Sequence, residues 1–174
     1  MARFYTDGAS DQKTNSGYAC VYGDRVIYGR SPLMYVDDVI ISASAVNFIF
    51  SAGERFKPTN NRGELTAILI AAKIIRQNNL FGASIVTDSK YCIGIYTSWL
   101  NNWKSQPELF NGKANLDLIL LTDQLLGGME VVFVHQPAHK KVPVTRDERM
   151  NAIADKYAVM ARLADNDGVI SALE

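Results

Sequence analysis

The spacing of apolar residues changes near Asn60, and the two parts of the chain predict different elements. Before that point, short runs rich in β-branched and aromatic residues predict strands over residues 2–6 and 18–28, the second interrupted by a Gly-Asp turn. Residues 39–50 predict one or two more strands. Because turns join the early strands, we expect them to form an antiparallel meander.

After Asn60, runs long enough for helices alternate with shorter apolar runs. The predicted elements are helices over 65–75 and 115–126, strands over 82–87 and 129–134, and one or two helices after Ser89. Thr145 and Glu148 have the spacing of a capping box, which predicts the start of a further long helix. This order of elements indicates an α/β fold with a mixed sheet flanked by helices.

Length and composition predict one globular domain over residues 1–174, with 48% hydrophobic and 21% charged residues. No apolar run approaches the roughly 18 residues of a membrane helix, and the first residues lack the apolar run of a secretion signal. We therefore expect a cytoplasmic or nuclear protein, or a viral protein acting there. Cys20 and Cys92 match no metal-binding spacing and are predicted to be buried free thiols. The net charge of zero leaves nucleic-acid binding open, since basic patches can still be local.

Four acidic residues stand where apolar elements meet their boundaries. Asp7 and Asp88 are each predicted to follow a strand, and Glu64 is predicted to lie in the first turn of a helix capped by Asn61. Asp155 lies on an apolar stretch of the last helix. Each residue alone could be a turn, capping or surface residue, but together they form a set of oxygen ligands suited to Mg²⁺ or Mn²⁺. Two such ions about 3.5–4 Å apart can hydrolyse a phosphodiester without a protein nucleophile.

The chain resembles type 1 ribonuclease H from about residue 3 to residue 164. The segments that carry the resemblance are FYTDGAS, TNNRGEL, IVTDSKY, SWLNNWK, KANLDL, VHQPAH and NAIAD, in the family's order. The resemblance implies the ribonuclease H-like fold, with a five-stranded mixed sheet of three antiparallel strands followed by parallel strands. It also implies hydrolysis of the RNA strand of RNA–DNA hybrids with two Mg²⁺ ions, or Mn²⁺ as a substitute, giving 5′-phosphate and 3′-hydroxyl ends.

The resemblance assigns catalytic roles to five residues. Asp7 is expected to bridge both ions, Glu64 and Asp88 to complete the shell of one ion, and Asp155 to serve the other. His139 resembles the family's loop histidine, which assists proton movement or product release, as an imidazole can near neutral pH. His135 is the rival candidate, for which a structural role is favoured.

The TNNR segment resembles the turn with which the family reads hybrids. Asn60 and Asn61 are expected to contact base edges and sugar hydroxyls in the minor groove, although turn formation and helix capping are open as alternatives. Lys57, Thr59 and Asn115 resemble a pocket that grips a phosphate of the DNA strand. Lys57 replaces the arginine common there, so a bidentate contact would become a point-charge contact.

The SWLNNWK segment places aromatic residues at helical spacing, which is more often typical of core packing. The resemblance implies that Trp99 packs against DNA sugars and that Trp103 is largely core. Lys104 is expected to contact nucleic acid. Residues 28–56 form a longer hairpin region than the family usually has, and Asp37-Asp38 within it is expected to be a solvated turn.

Two other functions remain open from the sequence. A relative with the same sheet could be a nuclease of DNA junctions or an integrase, and a degenerate relative could be a non-catalytic nucleic-acid-binding domain. Retention of four carboxylates and the TNNR segment favour the hybrid nuclease. We expect a monomer whose partner is an RNA–DNA hybrid, with no membrane association and no organic cofactor.

Overall fold

The computed structural model describes residues 1–33, 56–110, 113–138, 141–163 and 171–172. The strands predicted over 39–50, Asp37-Asp38 and His139 lie outside the described residues. Among the helices of the described part, none is long and apolar enough to cross a membrane.

A mixed sheet forms the centre of the molecule, with the strand order β5-β4-β1-β2-β3-β6. The strands are β1 (Arg3–Ser10), β2 (Ser16–Tyr22), β3 (Arg25–Arg30), β4 (Ser84–Thr87), β5 (Val132–His135) and β6 (Ser171–Ala172). β1, β2 and β3 are antiparallel, and β4 and β5 continue the sheet in parallel from β1. The predicted five-stranded mixed sheet is confirmed, and a two-residue sixth strand, antiparallel to β3, extends it.

Helices cover both faces of this sheet. They are α1 (Asn60–Gln77), α2 (Lys90–Gly94), α3 (Leu100–Ser105), α4 (Pro107–Phe110), α5 (Leu116–Leu126) and α6 (Arg146–Ala161). A π-helical turn, Ile95–Trp99, joins α2 to α3. Alternation along β1 places Phe4 in a core with α1 and α5, and Tyr5 in a second core with α6. Cys20 and Cys92 are buried free thiols, as predicted.

The two predicted helix starts have different outcomes. The capping box at Thr145 and Glu148 is present, with the Thr145 hydroxyl accepting from the Glu148 backbone N–H at 3.1 Å. The box predicted at Asn61 and Glu64 is wrong. Thr59 caps α1 by accepting from the backbone N–H three residues later, so the helix begins two residues earlier than a cap at Asn61 requires. Glu64 therefore lies in the second turn, where its side chain faces the sheet instead of the helix end.

Candidate active site

Two of the predicted metal ligands are neighbours because of strand pairing. β1 pairs in parallel with β4 only as far as Thr6 and Thr87. Asp7 and Asp88 are the next residues along these two segments, so both lie at the carboxyl end of β4. The prediction that Asp7 follows a strand is wrong, because β1 continues to Ser10 through its antiparallel pairing with β2. Asp88 directly follows β4, as predicted.

A backbone contact between β1 and α1 brings in the third ligand. A Cβ atom built on Gly8 would lie 2.1 Å from the backbone nitrogen of Glu64, and one on Gly63 would lie 2.4 Å from the carbonyl oxygen of Gly17. These two residues must therefore lack side chains for α1 to lie this close to the sheet. The close approach places the Glu64 carboxylate beside that of Asp7.

Asp7, Glu64 and Asp88 each offer a carboxylate oxygen within 4.8 Å of the other two. Asp7 and Glu64 are buried, with 2% and 7% of their surface exposed. The backbone N–H of Gly8 donates to Asp7 Oδ1 at 2.8 Å, and the Thr87 hydroxyl donates to Glu64 Oε2 at 3.4 Å. Asp7 Oδ2 is buried and has no hydrogen-bond partner among the described residues.

Burial and the charges of neighbouring carboxylates raise the pKa values of Asp7 and Glu64. Burial, and after it the charge of Asp88, raise the pKa of Asp7 to about 8. Burial, and after it the charge of Asp7, raise the pKa of Glu64 well above its ordinary value. Crowded, desolvated carboxylates are costly in a protein without a counterion, and a divalent cation would remove that cost.

Asp155 stands apart from the other three predicted ligands. It is half-buried on α6 and does not belong to the group whose oxygens lie within 4.8 Å of one another. Its charge nevertheless contributes to the raised pKa of Asp7, after the larger effects of burial and Asp88. The arrangement therefore provides one close group of three carboxylates with a fourth at its margin.

This arrangement fits divalent metal ions. The donor set consists of oxygens, which hard cations such as Mg²⁺ prefer, and the unpartnered buried Oδ2 of Asp7 is an acceptor that a cation would satisfy. Asp7, Glu64 and Asp88 are the residues that could hold such an ion. His135, the rival to His139, is exposed at the end of β5, where it pairs with Thr87 beside this edge of the sheet.

The residues predicted to read the hybrid lie at the start of α1. Asn60 and Asn61 are exposed in its first turn, and Lys57 is exposed just before it. The hydroxyl of Ser16 donates to the Thr59 carbonyl at 2.8 Å and fixes this segment to β2. The start of α1 is thus an anchored, polar surface.

The third residue of the predicted phosphate pocket, Asn115, is buried with 6% exposure and takes a left-handed backbone conformation before α5. Arg62 donates to its side-chain oxygen at 3.2 Å, and a buried ion pair joins Arg62 to Asp117 at 2.9 Å. Sequence reasoning missed Arg62 and Asp117. The only available signal was a charged residue in each of two segments that carried the resemblance, TNNRGEL and KANLDL.

The aromatic residues after Asp88 are divided between surface and core. Trp99 is 43% exposed, whereas Trp103 is 9% exposed and joins the core. The Trp99 ring lies over Gly94, where a Cβ atom would come within 2.7 Å of the indole. Lys104 forms an ion pair with Asp123 of α5, and both side chains are partly exposed.

Comparison with known proteins identifies the family. The model of the RNase H family matches residues 2–162. This chain belongs to the RNase H family. The resemblance expected from the sequence is thereby confirmed.

RNase H relatives align with most of the chain. Ribonuclease HI of Streptomyces coelicolor is 34% identical over 128 residues, which are 71% of this chain and 52% of the relative. Ribonuclease H of Cronobacter sakazakii is 31% identical over 119 residues, which are 67% of this chain and 72% of the relative. The chain thus spans about half the length of the first relative and more of the second.

The fold also matches solved RNase H structures. A crystal structure of a type 1 RNase H with the type 2 active-site motif superposes with a TM-score of 0.66 at 17% identity, covering 98% of this chain and 76% of the other. At this identity the match shows the fold alone, which is the RNase H fold.

Proposed function

We propose that this chain hydrolyses the RNA strand of RNA–DNA hybrids with the help of two divalent cations, giving 5′-phosphate and 3′-hydroxyl ends. The observation that carries the proposal is the close group of Asp7, Glu64 and Asp88 in an RNase H chain. Its crowding, its raised pKa values and its one unpartnered buried oxygen describe a site that is incomplete without positive charge.

The chain's own residues divide the work in this proposal. When bound, the two ions would activate a water molecule and stabilise the leaving oxygen. Asp7 would contribute to both ions, Glu64 and Asp88 to the first, and Asp155 to the second. His139 would accept or return a proton near the leaving group. The backbone contact at Gly8 would keep the carboxylates at a fixed spacing.

Substrate selection would lie with the polar start of α1 and the aromatic surface after Asp88. Asn60 and Asn61 expose amides that can read sugar hydroxyls and base edges. Lys57, Thr59 and Asn115 would hold a phosphate of the DNA strand, while the exposed Trp99 would pack against its sugars. Lys104 would contribute less, because it is already paired with Asp123.

A cleavage panel tests the activity. Labelled RNA–DNA hybrid, duplex RNA, duplex DNA and a four-way DNA junction would be incubated with Mg²⁺, with Mn²⁺ and with EDTA. We expect metal-dependent cleavage of the hybrid alone, with 5′-phosphate on the downstream product. Cleavage of the junction alone would refute the proposed substrate, and a 2′,3′-cyclic phosphate end would refute the proposed chemistry.

An isosteric substitution tests the site. Asp7→Asn should abolish hybrid cleavage, whereas Asp24→Asn, in the exposed turn between β2 and β3, should not affect it. Cleavage retained by the Asp7 variant would place the reaction elsewhere. We also propose that the chain acts as a monomer in the reducing interior of a cell, a setting in keeping with its two free thiols.

A further inference from the structure

Arg62 is a buried cation that holds several segments together. Its side chain has 0% exposure, and its guanidinium donates to both carboxylate oxygens of Asp117, at 3.0 and 2.9 Å. The Nε donates to the carbonyl of Pro32, and the ring of Phe56 lies 4.1 Å from the guanidinium carbon. One side chain thus joins the first turn of α1 to the residues before it and to the start of α5.

Such a pair is an unusual means of stabilising a core. Removing two charges from water costs several kcal/mol per ion, and apolar residues of similar volume often stabilise a protein as well or better. The fork of five donors does have a geometric consequence that an apolar residue would lack, because it fixes the direction of each acceptor around it. One of those acceptors is the amide of Asn115.

Arg62 decides which way the Asn115 amide faces. Arginine donates hydrogen bonds and accepts none, so the side-chain oxygen of Asn115, and never its nitrogen, must face Arg62. The NH₂ group must then face the other way. Among the described residues no acceptor takes its hydrogens, and the left-handed backbone at φ 64° sets the direction of the side chain. Asn115 therefore presents a donor, the group that a phosphate oxygen requires.

The same arginine also lies next to a second residue of the pocket. Its backbone N–H donates to the Thr59 hydroxyl oxygen at 3.1 Å, which leaves the hydroxyl hydrogen available to donate elsewhere. Arg62 thus contacts Thr59 through its backbone and Asn115 through its side chain. The charge of Arg62 is matched by Asp117 and buried, so its influence on a phosphate would be exerted through these neighbours.

We propose that Arg62, paired with Asp117, is a positioning residue that orients the Asn115 amide as a hydrogen-bond donor to a phosphate of the DNA strand. This rests on the proposed function, because it assumes that a hybrid is the substrate. The pair would affect hybrid affinity and KM, with kcat unchanged, since it lies outside the carboxylate group. Its loss should cost about as much as the loss of the Asn115 donor itself.

The test replaces the ion pair without leaving a charge unpaired. Arg62→Met with Asp117→Leu keeps the volume of the pair, whereas Asn115→Asp keeps the acceptor for Arg62 and removes the NH₂ donor. Dissociation constants would be measured on an uncut hybrid without divalent cation, and folding checked by thermal unfolding. Because each variant loses a hydrogen bond to a charged phosphate, its affinity for the hybrid should fall about tenfold or more. Arg76→Met, which removes a cation from the other end of α1, should change affinity less than twofold.

Two readouts separate positioning from general weakening. Asn115→Ala in the pair-replaced protein should cost little further affinity, because both changes remove the same contact. In the wild type, replacing one DNA-strand phosphate by a neutral methylphosphonate should weaken binding, and the pair-replaced protein should lose this sensitivity.

The positioning role would be refuted if the folded pair-replaced protein bound the hybrid with wild-type affinity. It would also be refuted if Asn115→Ala in that protein lowered the affinity by a further full factor. In either case, hybrid cleavage by the wild type would still support the proposed function. Failure of the wild type to cut or bind the hybrid would instead refute the proposed function and, with it, this role.

Discussion

Replacing Asp7 by Asn should stabilise the protein when metal is absent. The amide keeps the acceptor that Gly8 uses and removes one charge from a buried group of three carboxylates. In the folded protein without metal, Asp7 has a pKa raised from 3.8 to about 8, so folding takes up a proton between these values. The free energy of unfolding therefore falls as the pH rises through this window, and the Asn variant escapes that fall.

The separation of the carboxylates gives the magnitude. With oxygens within 4.8 Å and an effective dielectric constant of about 20, one like-charge pair repels by about 3.5 kcal/mol. Burial is the first cause of the raised pKa of Asp7 and the charge of Asp88 is the second, so the pair with Asp88 gives the repulsive part that an uncharged amide removes. We expect Asp7→Asn to be about 3 kcal/mol more stable than the wild type at pH 9 in EDTA and nearly equal below pH 4.

Urea unfolding between pH 4 and pH 9 would measure this difference, with Asp24→Asn as a surface control. Mg²⁺ at 100 times Kd should remove most of this difference, because binding stabilises the wild type by about 2.7 kcal/mol and the variant lacks a ligand. A stability difference that does not change with pH, or one that Mg²⁺ leaves unchanged, would refute the assignment of Asp7 to a crowded metal site.

Four further substitutions separate packing from function. Gly63→Ala would force α1 away from the sheet, and a Mg²⁺ titration of cleavage should show a several-fold higher metal requirement; an unchanged requirement would refute the spacing role. Trp103→Ala should lower the free energy of unfolding by about 3 kcal/mol, measured with denaturant. Trp99→Ala should leave that free energy nearly unchanged and weaken hybrid binding. Equal effects of the two substitutions in both assays would contradict this division. Thr145→Ala should cost about 1 kcal/mol through loss of the cap on α6, the helix that carries Asp155, and a neutral result would show that the capping box contributes nothing.

The parts of the fold that depend on local sequence were predictable. Thr145 and Glu148 are three residues apart, so their reciprocal capping is visible in the sequence. The start of α1 was not, because Thr59 and Asn61 are both good capping residues and only the geometry of the chain decides between them. Local rules identify candidate caps but do not rank neighbouring ones.

The candidate site was predicted by residue type but not in its geometry. The four carboxylates were predicted as a set, yet the length of β1 beyond Asp7 depends on its pairing with β2, which no local pattern shows. The partner of Arg62 is 55 residues away in the chain, so its burial and its contact with Asn115 follow from the tertiary fold alone. The marginal place of Asp155 likewise follows from how α6 packs on the sheet.

The contact between Gly8 and Gly63 means that main-chain atoms, which cannot change rotamer, set the distance between two of the metal ligands. Core side chains of α1, such as Leu65 and Ile68, can then vary in shape without altering that distance. Thermal tolerance and cation affinity should therefore evolve independently in this chain. An engineer could repack the interior beneath α1 for heat resistance and keep the same magnesium dependence.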